Sequence, residues 1–281
     1  MKKTIEELKK IALESRRNIL QMTTEAGSGH VGGAMGIIDI VTYLYFNEMS
    51  FNKVEKYFDE GVKRDSVLDP NRDRLILSAA HMVPALYVTL SELGYIQKED
   101  LMSLRSLGSK LQGHTNLDLE IGIETSGGSL GQGVGIAAGM AKSFKIFDKK
   151  SKVFCIVGDG ESNEGSVWES FMFASKYKLD NLIYIFDHNN IQQSNFGSEI
   201  MPLLDIKAKL TDFGLHVIEI DGNDFSDIER GFNESHDVKG KPICILANTV
   251  PGKGVSFLEH NYTWHSKTLN TDQLKEALNE L

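Results

Sequence analysis

The sequence predicts an α/β protein built on a mostly parallel sheet with helices on both faces. Two observations carry that expectation. From "KVFCIVG" (152–158) onward, short apolar runs alternate regularly with helical patterns. The runs are continuously apolar rather than alternating, as strands buried on both faces require. A third observation places function. Turn-rich segments holding Asp, Asn and His follow the ends of several of these runs, and ligands of such sheets bind beyond the carboxyl ends of the strands.

Residues 4–24 read as an amphipathic helix, with Ile5, Leu8, Ala12, Ile19 and Met22 at helical spacing. The helix runs into "EAGSGHVGG" (25–33), a flexible loop able to approach a ligand closely. A second helix is expected over 34–47, and the polar stretch 54–73 reads as surface. "RLILS" (74–78) is a short strand, with a helix after it over 82–93. "GGSLGQG" (127–133) is a turn leading into a helix of small residues, which let it lie close to a neighbouring backbone. Strands follow at 152–158, 181–187, 216–221 and 242–250. Between and after them lie helices at 164–177, 205–213, 224–235 and 271–280. The last helix either closes the domain or faces a partner.

Composition narrows the function classes. The chain has 281 residues, 41% of them apolar, and a formal net charge of -9. A broad nucleic-acid footprint needs a basic face, so none is expected. No apolar run is long enough to span a membrane. The N-terminus has charges but no apolar segment of the secretory kind. The two cysteines, Cys155 and Cys244, lie in β-branched apolar runs and read as buried thiols. A reducing cytoplasm is the expected location.

The most informative stretch is "GDGESNEGSVWESFMFASKYKLDNLIYIFDHNN" (158–190). Asp159 stands between two glycines directly after a strand. The following helix turns its N-terminus toward the same place, which favours an anion. Asn189 stands at the end of the next strand. A carboxylate, an amide oxygen and a backbone carbonyl suit a magnesium ion, which takes hard oxygen ligands and leaves the rest of its shell to phosphate and water.

This pattern resembles the thiamine diphosphate signature, and the wider string is similar to transketolases in particular. The resemblance runs from Ser15 to about Lys267. It implies that Asp159, Asn189 and the carbonyl of Ile191 bind the divalent ion, Mg²⁺ or else Ca²⁺ or Mn²⁺. Gly160 and Glu161 would lie against the diphosphate, Gly128 and Leu130 against the rings, and Gln193 would face the cofactor.

Four of the eight histidines stand in or beside flexible loops: His30, His81, His114 and His265. Imidazoles shuttle protons near neutral pH, which the cleavage of a ketose requires. The resemblance places His30 and His265 at the donor's carbonyl and first hydroxyls. It places His81 against the cofactor and its diphosphate, and His114 at the hydroxyl that loses its proton. His188, His216, His236 and His260 read as structural or exposed. Ala79-Ala80 and Ser129 depart from the family pattern of Lys-Gly and Pro, which bears on the acceptor sugar more than on the reaction.

The family's glutamate for the aminopyrimidine, and its arginines for the substrate phosphate, lie in a further domain. The resemblance therefore implies that residues 1–281 are a single diphosphate-binding domain and the N-terminal subunit of a split transketolase. A C-terminal subunit would carry the pyrimidine-binding and C-terminal domains, in a heterotetramer, with Glu164 facing its counterpart across the boundary. Sugar phosphates would be the substrates, with other ketose phosphates or sulfonated sugars as alternatives. Rival readings are a deoxyxylulose-phosphate synthase, a 2-oxoacid dehydrogenase of the alpha-chain type, or a non-enzymatic scaffold.

Overall fold

The computed structural model describes residues 2–51 and 71–281. Five strands form one fully parallel sheet: β1 (Arg74–Leu77), β2 (Val153–Gly158), β3 (Leu182–His188), β6 (His216–Asp221) and β7 (Ile243–Asn248). Their order is β1-β2-β3-β7-β6. A two-stranded hairpin, β4 (Ile191–Gln192) and β5 (Asn195–Phe196), projects beyond the end of β3. The alternation read from the sequence misses this hairpin, whose strands are too short to show a period.

The sheet separates two apolar layers. Along β2, Phe154 and Ile156 join one cluster, while Val153, Cys155 and Val157 join the other. The first layer is closed by α1 (Ile5–Glu25), α2 (Val31–Tyr43), α3 (Val83–Glu92) and α8 (Phe225–Ser235). The second is closed by α4 (Gln132–Ile146), α5 (Gly165–Lys176) and α7 (Ile206–Asp212). A one-turn helix, α6 (Gly197–Ile200), follows the hairpin. Each fully buried Ile, Val or Phe in these layers contributes about 1.5–3 kcal/mol relative to exposure.

Local chemistry sets the helix ends. Thr4 and Glu7 form a capping box on α1, and Asn270 and Gln273 form another on α9 (Thr271–Glu280). Asp205 and Asp224 cap α7 and α8 through their side chains. Buried Ala277, with Leu274, Leu278 and Leu281 packed on the core, shows that α9 closes this layer.

Several sequence expectations need correction. The second helix begins at Val31, directly after His30, and its last turn, Leu44–Glu48, is a π-helix. β6 is an edge strand whose Glu219 and Asp221 are exposed, so it is not a doubly buried run. Residues 54–70 lie outside the described residues, but Arg72 and Asp73 are buried rather than on the surface. Arg72 pairs there with Glu124, and Asp73 accepts the amides of Ser50 and Lys152, each at 2.7 Å. Paired in this way, charged residues tolerate the interior.

Candidate active site

Four segments at the carboxyl edge of the sheet converge on one cavity of about 400 Å³. β2 ends in Gly158-Asp159-Gly160. β3 ends in His188 and continues through Asn189 to the hairpin. β1 leads through Ser78 to His81. The turn 127–131 precedes α4. The cavity wall includes His30, His81, His114, Gly128, Leu130, Asp159, Gly160, Glu161, Asn189, Ile191, Gln193 and His265, which brings together all twelve residues read from the sequence as catalytic or cofactor-binding.

Glycines let these segments meet. A Cβ on Gly133 of α4 would lie 2.7 Å from Ser78 Cα, so the helix rests directly on the backbone after β1. A Cβ on Gly32 would lie 3.3 Å from the Trp264 carbonyl oxygen, and Gly252 N donates to Gly32 O at 2.9 Å. Close approach of α2 to this loop sets His265 beside His30.

The four histidines form one cluster. The His30 ring centroid lies 5.0 Å from that of His81, 5.5 Å from His265 and 6.2 Å from His114, and His81 and His265 are 5.3 Å apart. Burial lowers the pKa of His30 to about 4, helped by the cost of adding a proton beside His265, Arg105 and His114. Burial, then the other imidazoles, brings His81 down to about 3. Burial and Arg105 lower His114, and burial alone lowers His265. All four imidazoles are therefore neutral at physiological pH and able to accept a proton. His30 Nδ1 is buried and has no hydrogen-bond partner among the described residues.

At the end of β2, the buried Asp159 carboxylate meets His188 Nδ1 at 2.9 Å and accepts the Asn190 amide. Asn189 donates through Nδ2 to Asp187 at 2.7 Å, and its Oδ1 accepts from Ile191 N at 2.9 Å. Asp187 is fully buried and also accepts from Thr249 Oγ1. Burial raises its pKa to about 7. The oxygens that could reach a metal are the Asp159 carboxylate, Asn189 Oδ1 and the Ile191 carbonyl. This set is all hard oxygen, and each atom keeps a free lone pair, so it fits magnesium rather than a soft ion. Among the described residues no group of three His, Cys, Asp or Glu side chains is placed to hold a metal ion.

Glu161 lines the cavity, but its carboxylate is engaged. It accepts from Gly131 N at 2.8 Å, from Gly158 N at 3.1 Å and from the Ser78 hydroxyl. Its chemistry is to fasten three loops together. A 3-10 turn, Gly160–Asn163, separates Asp159 from α5, whose N-cap is the exposed Glu164.

Sequence reasoning passes over His188, Asp187, Ser78 and Arg105. It reads His188 as structural or exposed, and its part is structural: it holds Asp159, and that hydrogen bond raises its pKa. Its place one residue before Asn189 is the available signal. His216, His236 and His260 lie outside the cavity wall, and His236 bonds Glu48 at 2.9 Å.

Comparison with known proteins agrees with this geometry. Residues 9–281 match the family described as transketolase, thiamine diphosphate binding domain. The chain is 35% identical to a subunit of the apulose-4-phosphate transketolase of Phocaeicola vulgatus, covering 99% of this chain and 94% of that one. It is 36% identical to a 6-deoxy-6-sulfo-D-fructose transketolase subunit of a Clostridium species, covering 96% of each. It is also 36% identical to human transketolase, covering 99% of this chain but spanning only 42% of that protein's length. Among solved structures, transketolase from Campylobacter jejuni superposes with a TM-score of 0.87 at 30% identity, covering 99% of this chain and 43% of that one. With the parallel sheet, the oxygen ligand set and the histidine cluster in place, the chain belongs to the transketolase family, to its thiamine diphosphate binding domain.

Proposed function

We propose that this chain is the N-terminal subunit of a transketolase that transfers a two-carbon ketol unit from a ketose phosphate to an aldose phosphate, and that a second subunit completes its active site. One observation carries the reading. Four neutral imidazoles surround the same cavity that holds the Asp159, Asn189 and Ile191 oxygens.

Asp159, Asn189 and the Ile191 carbonyl would hold Mg²⁺ or a similar divalent ion. Gly160 and Glu161 would border the diphosphate, and His81, Gly128, Leu130, Gln193 and His265 would line the rest of the cofactor. Thiamine diphosphate, when bound, supplies a carbon nucleophile and an electron sink for the two-carbon unit. This chain's own work is proton handling and orientation. His114, neutral and at the cavity wall, accepts the proton of the substrate hydroxyl whose carbon–carbon bond breaks, and returns it when the acceptor bond forms. His30 and His265 hydrogen-bond the donor's carbonyl and first hydroxyls. The unpartnered Nδ1 of His30 marks one polar atom in need of such a contact.

The lengths of the relatives support the need for a partner. The chain spans nearly all of the two proteins named as subunits, and 42% of single-chain human transketolase. Residues 1–281 would then be a single diphosphate-binding domain. The partner would carry the pyrimidine-binding and C-terminal domains in a heterotetramer, with exposed Glu164 meeting its counterpart across the boundary. The names of the two subunit relatives add apulose 4-phosphate and 6-deoxy-6-sulfo-D-fructose to the candidate sugars. Two unpaired, fully buried thiols suit a reducing cytoplasm. Among the described residues no helix is long and apolar enough to cross a membrane.

Calorimetry of thiamine diphosphate with Mg²⁺ tests the proposal on the chain alone and with its partner subunit. Tight binding and ketol transfer are expected only in the mixture. Full activity of the chain alone would refute the need for a partner, and absence of binding in both would refute the cofactor site.

A further inference from the structure

The Ile191 carbonyl belongs to the two-stranded hairpin at the end of β3, whose strands have only two residues each. A hairpin this short is not stable alone and keeps its shape through what it touches. Its backbone is also strained. Asn190 and Gln193, which flank β4, have φ 57° and 51°, values that non-glycine residues rarely adopt. Such conformations persist where the surroundings fix them, and they collect at ligand clamps.

The hairpin is held on two sides. On the Asp159 side, the Asn190 amide donates to the Asp159 carboxylate. The Gln192 side chain accepts from Asn163 at 2.8 Å and donates to the Met201 carbonyl at 3.1 Å. On the other side stands the loop that carries His265. Phe196 lies directly opposite Ile191 in the hairpin register. Its ring meets that of Tyr262 edge to face, with centroids 5.4 Å apart and planes at 79°. At the hairpin turn, Gln193 Nε2 donates to the Ser266 hydroxyl at 3.3 Å. The loop is a firm post. Asn261 caps its 3-10 turn, Tyr262–Trp264, by accepting the Thr263 amide at 3.1 Å. Trp264 packs on Phe257 and the core, and Gly32 of α2 lies against its carbonyl. The Tyr262 carbonyl accepts the His265 amide at 3.0 Å, so Tyr262 touches both the hairpin and the histidine of this loop.

We propose that Phe196 and Tyr262 are positioning residues for the metal site: their ring contact clasps the hairpin to the His265 loop and so fixes the place of the Ile191 carbonyl. The inference rests on the metal-diphosphate reading of the cavity. It has a consequence for the choice of ion. Mg²⁺ demands near-ideal octahedral geometry, whereas Ca²⁺ accepts a flexible shell. A carbonyl held from both sides suits the stricter ion. A hairpin released on one side penalises Mg²⁺ and leaves Ca²⁺ nearly indifferent.

The test measures thiamine diphosphate affinity by calorimetry on the chain assembled with its partner subunit, once with Mg²⁺ and once with Ca²⁺. Tyr262→Leu and Phe196→Leu should each weaken the Mg²⁺-supported affinity by about tenfold, as the loss of a group that orients a metal ligand does. The Ca²⁺-supported affinity should fall by less than about threefold. The double variant should be no worse than either single one, because both remove the same contact. Tyr262→Phe, which keeps the ring, should match wild type. Both rings are half-buried, so the variants should fold, and thermal melts check this. An equal loss with both ions, or additive losses in the double variant, would mean that the rings only support the fold locally. That result overturns the positioning role, and so does no loss with either ion. A wild-type complex that binds no cofactor with either ion would instead overturn the metal-diphosphate reading, and the clasp with it.

Discussion

At Glu161 three loops meet on one buried carboxylate. Gly131, Gly158 and Ser78 all donate to it, from the turn before α4, the end of β2 and the end of β1. Removing that acceptor strands buried donors, each costing about 1–3 kcal/mol. Glu161→Ala should therefore destabilise the chain by about 2–4 kcal/mol and weaken thiamine diphosphate binding, as read by urea denaturation and calorimetry. Unchanged stability would show that water replaces the carboxylate. Asp187 plays a similar part behind Asn189, holding the amide nitrogen so that Oδ1, which accepts the Ile191 amide, keeps a second lone pair for a metal. Asp187→Ala should weaken Mg²⁺-dependent cofactor binding by about 10–100-fold, the usual effect of losing a group that orients a metal ligand. A binding isotherm identical to wild type, from folded protein, would rule out that role.

Among the elements, α4 tests the close-packing argument most sharply because its glycines have different surroundings. Gly133 faces the backbone of Ser78, where an added Cβ would stand 2.7 Å from Cα, whereas Gly139 has no atom within 4 Å. Gly133→Ala should destabilise by about 1–3 kcal/mol, since the backbone there must shift to make room. Gly139→Ala should stabilise by about 0.5–1 kcal/mol, through helix propensity alone. Thermal melts of the two variants decide the matter. Equal effects of the same sign would mean that α4 does not lean on β1 as described. The consequence for function is direct, because Gly131 and Leu130 at the start of α4 belong to the loops around the site.

For the whole molecule, the histidine cluster makes stability depend on pH. His30 and His81 have pKa values of about 4 and about 3 in the fold, against 6.5 for the free side chain. Below 6.5 the unfolded chain binds protons that the folded chain refuses, so stability falls as pH falls. The loss starts near 6.5 and levels off only below the folded values. Urea midpoints should drop between about pH 7 and about pH 4, and His30→Asn or His81→Asn should flatten that slope. A wild-type slope unchanged by either substitution would place the titrating groups elsewhere.

The parallel sheet, the order of its helices and the position of the ligand edge were legible in the sequence, because apolar runs and turns are local signals that survive without tertiary context. Asp159, Asn189 and the four loop histidines were legible for the same reason: each stands in a short, unusual string beside a strand end. Folding decided the rest. Glu161 looks like part of the diphosphate motif, yet its carboxylate points its bonding capacity at three backbone and hydroxyl donors. His188 reads as structural or exposed, and only the fold shows that Asp159 is what it holds. Arg72 and Asp73 look like surface and are interior, since their partners Glu124, Ser50 and Lys152 are far off along the chain. Arg105 had no motif at all. A charge's partner depends on which distant segments the sheet brings together. The sequence determined which chemical groups this protein has and near which strand ends they fall, while the tertiary structure decided which of them face each other, because burial and hydrogen bonding are properties of neighbours in space.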